Sequence, residues 1–184
     1  MHIVCLTPDE ATRRIPELAL LLQDAVDGGA SVGFLAPLDA AEARAYWQGV
    51  AADVAAGRRL LFAALNGDPG GAVVGSVQLY LEGRPNGSHR GEVNKLLVLT
   101  SARRRGIATA LMQALHAAAT ASGRSLLVLD TVQGDHAERL YERLGYTAAG
   151  VIPRYARSSA GGLDPTVYMY KELDAPDRAV KSEQ

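Results

Sequence analysis

Cysteine, tryptophan and phenylalanine are scarce in this chain: one, one and two among 184 residues. The single thiol, Cys5, excludes an internal disulfide and a multi-cysteine zinc site. The four histidines, His2, His89, His116 and His136, show no metal-ligand spacing, and His-Glu-x-x-His is absent, so no metal is expected. Charge of one sign is also lacking. Lys+Arg total 19 and Asp+Glu 20, a net charge of −1, which argues against a nucleic-acid partner held by a broadly basic surface. The longest apolar run, Leu60 to Leu65, is six residues, far short of a bilayer span, so no membrane partner is expected. Ile3 to Leu6 is too short for the core of a secretion signal, which leaves the cytoplasm as the default compartment. Neither Gly-x-Gly-x-x-Gly nor a Walker loop occurs.

What is present is an apolar content of 48% with 21% charged residues, the balance of a folded core in one ordinary domain. The domain is expected over 1–173, followed by a polar tail over 174–184. His2 to Leu6 reads as a short strand. Leu18, Leu21, Leu22 and Ala25 recur at helical spacing within Ile15 to Val26, stopped by Gly28-Gly29. Asp39, with Glu42 three residues on, predicts a capping box for a helix running to about Ala56. Leu60 to Leu65, Ala72 to Leu81 and Glu92 to Leu99, separated by Gly-, Asn-, Asp- and Pro-rich turns, predict an antiparallel meander. A helix is expected over Ser101 to Ser122, a strand over Ser125 to Asp130, and a short helix capped by Asp135 and boxed by Glu138. Tyr146 to Ala156 and Thr166 to Leu173 close the chain as two strands around a glycine-rich loop, Ser158 to Pro165. The implied class is α+β with a mixed sheet of about seven strands and about four helices.

The chemistry concentrates at Arg103-Arg104-Arg105-Gly106-Ile107-Ala108, where a strand hands over to an amphipathic helix. The start of a helix presents free N–H groups and a partial positive charge, and so attracts phosphate. Three arginines in a first helical turn each cost about 0.3–1 kcal/mol, which a bound polyanion would offset. On local physics alone, a solvated basic run is an equal alternative.

Arg-x-x-Gly-x-Ala after a strand resembles the acyl-CoA loop of the GNAT family of N-acetyltransferases. Ala137-x-x-Leu140-Tyr141-x-x-x-Gly145-Tyr146 resembles that family's second signature, and the element order over Leu60 to Leu173 is similar as well. Within the family, Gly28 to Phe34, Pro85-Asn86-Gly87, Glu92 to Arg105 and Leu126 to Thr131 resemble the tabtoxin-resistance type. The resemblance implies a mostly antiparallel sheet with a central V-shaped splay and an acetyl-CoA co-substrate. It places the pantetheine arm along the backbone of Leu97 and Val98, and the pyrophosphate on Arg103, Arg104, Arg105, Gly106, Ile107, Ala108 and Thr109. Many family members carry Asn where this chain has Gly134, whose backbone is expected to substitute.

By the same resemblance Tyr141 is the acid for the departing thiolate. Its phenol has an ordinary pKa near that of an alkyl thiol, which suits proton donation. Glu92, eleven residues before Arg103, is the base candidate, a role that partial burial would favour. Asp130 ends the partner strand, so two carboxylates are expected at the acceptor's opening, with Phe34 lining that side. The reading is an acetyl-CoA-dependent N-acetyltransferase of a small amine, possible targets being a toxin or antibiotic. An acyl-CoA-binding module without catalysis and a protein or peptide N-acetyltransferase are the alternatives. A homodimer would be ordinary for the family. Gly29-Ala30-Ser31-Val32-Gly33 imitates a nucleophile elbow, but a predicted helix precedes it where that motif needs a strand.

Overall fold

Branched and small apolar residues over 59–65 and 73–81 suit central strands covered on both faces, and these two strands anchor the sheet. The computed structural model describes residues 1–68 and 70–173, and the expected tail lies outside the described residues. In chain order the elements are β1 (His2–Cys5), α1 (Pro8–Arg13), α2 (Ile15–Asp27), α3 (Ala40–Ala55), β2 (Arg59–Leu65), β3 (Val73–Leu81), β4 (Arg90–Val98), α4 (Ile107–Ala121), β5 (Leu126–Val132), α5 (His136–Arg143), β6 (Thr147–Arg157) and β7 (Leu163–Glu172). Seven strands form one sheet in the order β1-β2-β3-β4-β5-β7-β6. Only β4 and β5 are parallel; every other neighbouring pair is antiparallel. The mostly antiparallel α+β architecture is as expected, with five helices rather than about four.

Strand alternation divides the core between the two faces. Leu61, Ala63 and Leu65 join Leu18, Leu22 and Trp47 of α2 and α3 on one side. Phe62, Ala64, Val77 and Leu79 join Ile107, Leu111, Met112 and Leu115 of α4 on the other. Each fully buried leucine contributes about 1.5–3 kcal/mol. Gly75 fixes how closely α4 lies over β3. A Cβ there would sit 2.9 Å from the Leu97 carbonyl oxygen, 3.1 Å from Ile107 Cγ2 and 3.2 Å from Leu111 Cδ1.

Three local readings need correction. Thr7 starts a six-residue helix that the sequence pattern missed. Its hydroxyl accepts from the Glu10 N–H (3.3 Å) and Glu10 returns a carboxylate to the Thr7 N–H (2.8 Å), a complete capping box. The box expected at Asp39 is half formed: Asp39 accepts from the Ala41 and Glu42 N–H groups at 2.7 and 3.3 Å, while Glu42 turns into a surface cleft beside Phe34. α4 begins at Ile107 instead of Ser101, because Thr100–Ala102 forms a 3-10 turn and the following arginines leave helical geometry.

Candidate active site

The site begins where the sheet divides. β4 and β5 pair at Arg90–Leu126, Gly91–Leu127 and Glu92–Val128, and their pairing ends there. β5 continues on β7 to Val132, whereas β4 stays with β3 to Val98. A bulge in β4 helps turn it away. Between the pairs Gln78–Asn94 and Ser76–Leu97, β3 spends one residue and β4 spends two, Lys95 and Leu96. Beyond Glu92 the β5-facing edge of β4 has no strand partner among the described residues, and it opens into a cavity of about 550 Å³. Leu96, Leu97 and Val98 line one wall, Gly28 and Gly29 cross the rim, and His136, Ala137, Leu140 and Arg143 of α5 line the other.

The floor is the loop into α4. Arg103 is extended, Arg104 and Gly106 are left-handed (φ 61° and 77°), and α4 starts immediately after. Among the described residues the N–H groups of Arg104 through Thr109 have no hydrogen-bond acceptor. No side chain caps the helix, and a Cβ on Gly106 would meet nothing within 4 Å. These N–H groups lie at the positive end of a helix dipole, with open space at Gly106, which suits phosphate oxygens. The arginines precede the helix, so none occupies its first turn, although they still stand at its positive end. Arg103 and Arg104 border the cavity, and Arg103 Nε also donates to the Val98 carbonyl (3.3 Å). The Arg105 side chain lies outside the lining, so only its N–H can serve here.

Gly134 departs from expectation. It is not part of the lining, and its N–H already donates to the Glu138 carboxylate. That leaves its carbonyl as the backbone group able to replace the missing Asn contact. Glu138 binds this N–H instead of the Asp135 N–H, so the expected box is displaced by one residue, and Asp135 caps α5 by accepting from His136 (2.5 Å). His136 and Arg143 went unnoticed in the sequence, yet both lie on the cavity side of α5 with Ala137 and Leu140, at the helical offsets of three and seven.

Tyr141 faces inward, 7% exposed, edge-on to Tyr146 at 5.6 Å between centroids. Burial, reinforced by the Asp130 and Asp135 carboxylates, pushes its pKa well above the ordinary value. Tyr146 in turn lies 3.0 Å, oxygen to nitrogen, from His116 Nε2. Burial and the Lys171 ammonium lower the His116 pKa to about 4, so the ring is neutral at pH 7.

On the opposite face of the sheet, the mouth of the splay is ionic. Glu92 pairs with Val128, so Glu92 and Asp130 project from the same face. Glu92 is exposed, not partly buried as its proposed role would favour. Asp130 is exposed by area, yet the cleft walls strip enough water from its carboxyl to raise its pKa, with Lys95 pulling the other way. Tyr168, the cross-strand partner of Asp130, meets Tyr155 hydroxyl to hydroxyl at 2.6 Å. Phe34 packs edge-on to Tyr46 (5.4 Å) and lines a separate cleft with Ser31, Glu42 and Arg157. Lys95 was not foreseen. Strand alternation gives no warning of the bulge, which turns its ammonium over the rings of Tyr46 (5.5 Å) and Phe34 (6.0 Å). Among the described residues no three His, Cys, Asp or Glu side chains gather as a metal site, and no helix is long and apolar enough to cross a membrane.

A split sheet whose gap leads onto a left-handed, N–H-rich turn is the architecture that the family resemblance implied. A model of the acetyltransferase (GNAT) family matches residues 34–146, and the chain belongs to that family. Similar solved structures include the ribosomal-protein-alanine N-acetyltransferase of Brucella melitensis, at TM-score 0.76 and 20% identity over 94% of this chain and 100% of that one. The yncA protein of Salmonella typhimurium, solved with its cofactor acetyl-CoA, aligns at 0.74 and 18% identity over 97% and 98%. An aminoglycoside 6'-acetyltransferase type Ii aligns at 0.72 and 22% over 96% and 100%. At these identities the likeness is one of fold.

Proposed function

We propose that this protein transfers an acetyl group from acetyl-CoA to the nitrogen of a small amine. One observation carries the reading: β4 parts from β5 at Glu92, and the gap runs to six unpaired N–H groups between Arg104 and Thr109. The free β4 edge at Leu97 and Val98 offers main-chain hydrogen bonds to the pantetheine amides. The Arg104–Thr109 cradle, flanked by Arg103 and Arg143, supplies positive potential for the pyrophosphate.

For the transfer itself, the acceptor must lose a proton before its nitrogen attacks the thioester carbonyl. Glu92 at the mouth takes that proton, directly or through water, and Asp130 attracts the ammonium beforehand. As the C–S bond breaks, Tyr141 gives its phenolic proton to the departing thiolate, the nitrogen sheds its second proton to restore the phenol through water, and the products are an amide and free CoA. The raised pKa of Tyr141 keeps it protonated at pH 7, and donation stays matched because the same burial raises the pKa of the thiol leaving beside it. A toxin or antibiotic is the favoured acceptor, supported by the sequence resemblance to the tabtoxin-resistance type.

The test is mass spectrometry of an amine, amino-acid and antibiotic panel after incubation with acetyl-CoA, with thiol release measured in parallel. Amine-dependent thiol release with one added acetyl group supports the proposal. Tight acetyl-CoA binding with no acceptor modified would make the protein a binding module. Modification of peptides alone would make it a protein acetyltransferase.

A further inference from the structure

We propose that Lys95 binds a carboxylate of the acceptor, so that the substrate is an amino acid or a close relative bearing its carboxylate a few bonds from the reactive amine. This rests on the acetyltransferase reading and narrows it. Lys95 stands at the β4 bulge with φ 50°, an uncommon conformation for a side chain without a local hydrogen bond to gain. Its ammonium reaches over Tyr46 and Phe34, beneath Gly33, where even a Cβ would lie 3.6 Å away. Among the described residues it makes no hydrogen bond and no ion pair. The neighbouring cation, Arg59, by contrast has partners: it pairs with Asp53 (3.5 Å), donates to Gln78 (2.6 Å) and covers Tyr80, although its Nε makes no hydrogen bond.

The energetics favour an anionic guest. Burial lowers the Lys95 pKa, while Asp130 and Glu92 act on it electrostatically without touching it. A half-dehydrated ammonium held by two ring faces recovers its lost solvation best from a carboxylate entering the same space. Asp130 and Glu92 beside it can take the ammonium of that same molecule. One ammonium near two carboxylates suits a zwitterion. A polycation would meet Lys95 as a like charge.

The experiment compares L-leucine, L-methionine, L-lysine and L-glutamate with their methyl esters, which keep the amine and lose the anion. Spermidine and kanamycin serve as polycationic probes. Wild-type protein should show kcat/KM at least tenfold higher for one or more free acids than for the matching ester. Lys95→Asn, chosen because Asn tolerates left-handed backbone, should raise KM for the acid about tenfold or more, with kcat falling less and the acid-to-ester ratio approaching one. Lys95→Arg should restore the preference. Equal use of acid and ester by wild type, or preference for the polycations, overturns the inference and leaves acetyl transfer standing. A loss of kcat on acids and esters alike in Lys95→Asn also overturns it. No acetylation of any probe removes the acetyltransferase reading, and this inference with it. Should Lys95→Asn fail to fold, the wild-type acid-to-ester ratio alone decides.

Discussion

Replacing Gly106 by Asn and by Asp isolates the electrostatics of the phosphate cradle. Gly106 sits at φ +77° with nothing within 4 Å of a Cβ position, so either side chain has room. Both residues visit left-handed backbone more readily than other side chains, and the strain, at most about 1–2 kcal/mol, largely cancels between them. What differs is one negative charge facing six N–H groups and their guest. Two unit charges about 4 Å apart interact by ~1 kcal/mol in water and ~4 kcal/mol near a protein surface. Acetyl-CoA should therefore bind Gly106→Asp more weakly than Gly106→Asn by about 1–4 kcal/mol, roughly 5- to 1000-fold in Kd. Calorimetric titration at low and high salt gives both values, and the gap should narrow with salt. Equal affinities in two folded variants would refute the placement of the pyrophosphate over Gly106.

The acid is tested by Tyr141→Phe, which keeps the edge contact with Tyr146 and removes the phenolic proton. Single-turnover kinetics should show transfer slowed roughly 10²–10⁴-fold, with the acetyl-CoA Kd moving far less. At the mouth, Glu92→Gln should lower kcat most on the acidic limb of the pH–rate profile, whereas Asp130→Asn should raise the acceptor KM more than it lowers kcat. An unchanged acidic limb in Glu92→Gln would reassign the base. His116 makes a prediction about stability. Its folded pKa of about 4 lies below the unfolded value of 6.5, so the unfolded chain binds the extra proton first. The stability it contributes is complete above pH 6.5 and is lost as pH falls toward 4. Thermal melts should decline over that window, and more shallowly in His116→Gln.

The loop proposed to hold phosphate stood out because a glycine among arginines, between an apolar strand and an apolar helix, is a local pattern with a local cause. The division of the sheet was implied by family resemblance and not by spacing. The pairing of Glu92 with Val128 is a register between distant segments that periodicity does not encode. The late start of α4 escaped because Thr100–Ala102 has helical composition, and only the left-handed turn at Arg104 and Gly106 reveals the break. α1 escaped for a different reason. Six residues are too few to show a period, although Thr7 and Glu10 carry the box that starts it. Lys95 was hidden by strand alternation itself: a bulge shifts every following side chain, and nothing between Asn94 and Leu97 announces the extra residue.

Hydrogen–deuterium exchange of the protein with and without acetyl-CoA reads the proposed co-substrate contacts without any substitution, because they are made by backbone N–H groups. Peptides covering Leu96 to Thr109 should gain protection on binding, while those covering β6, the exposed edge of the sheet, should exchange unchanged. Protection confined to other segments, with Arg104 to Thr109 exchanging as in the free protein, would contradict the placement of the co-substrate in the splay between β4 and β5.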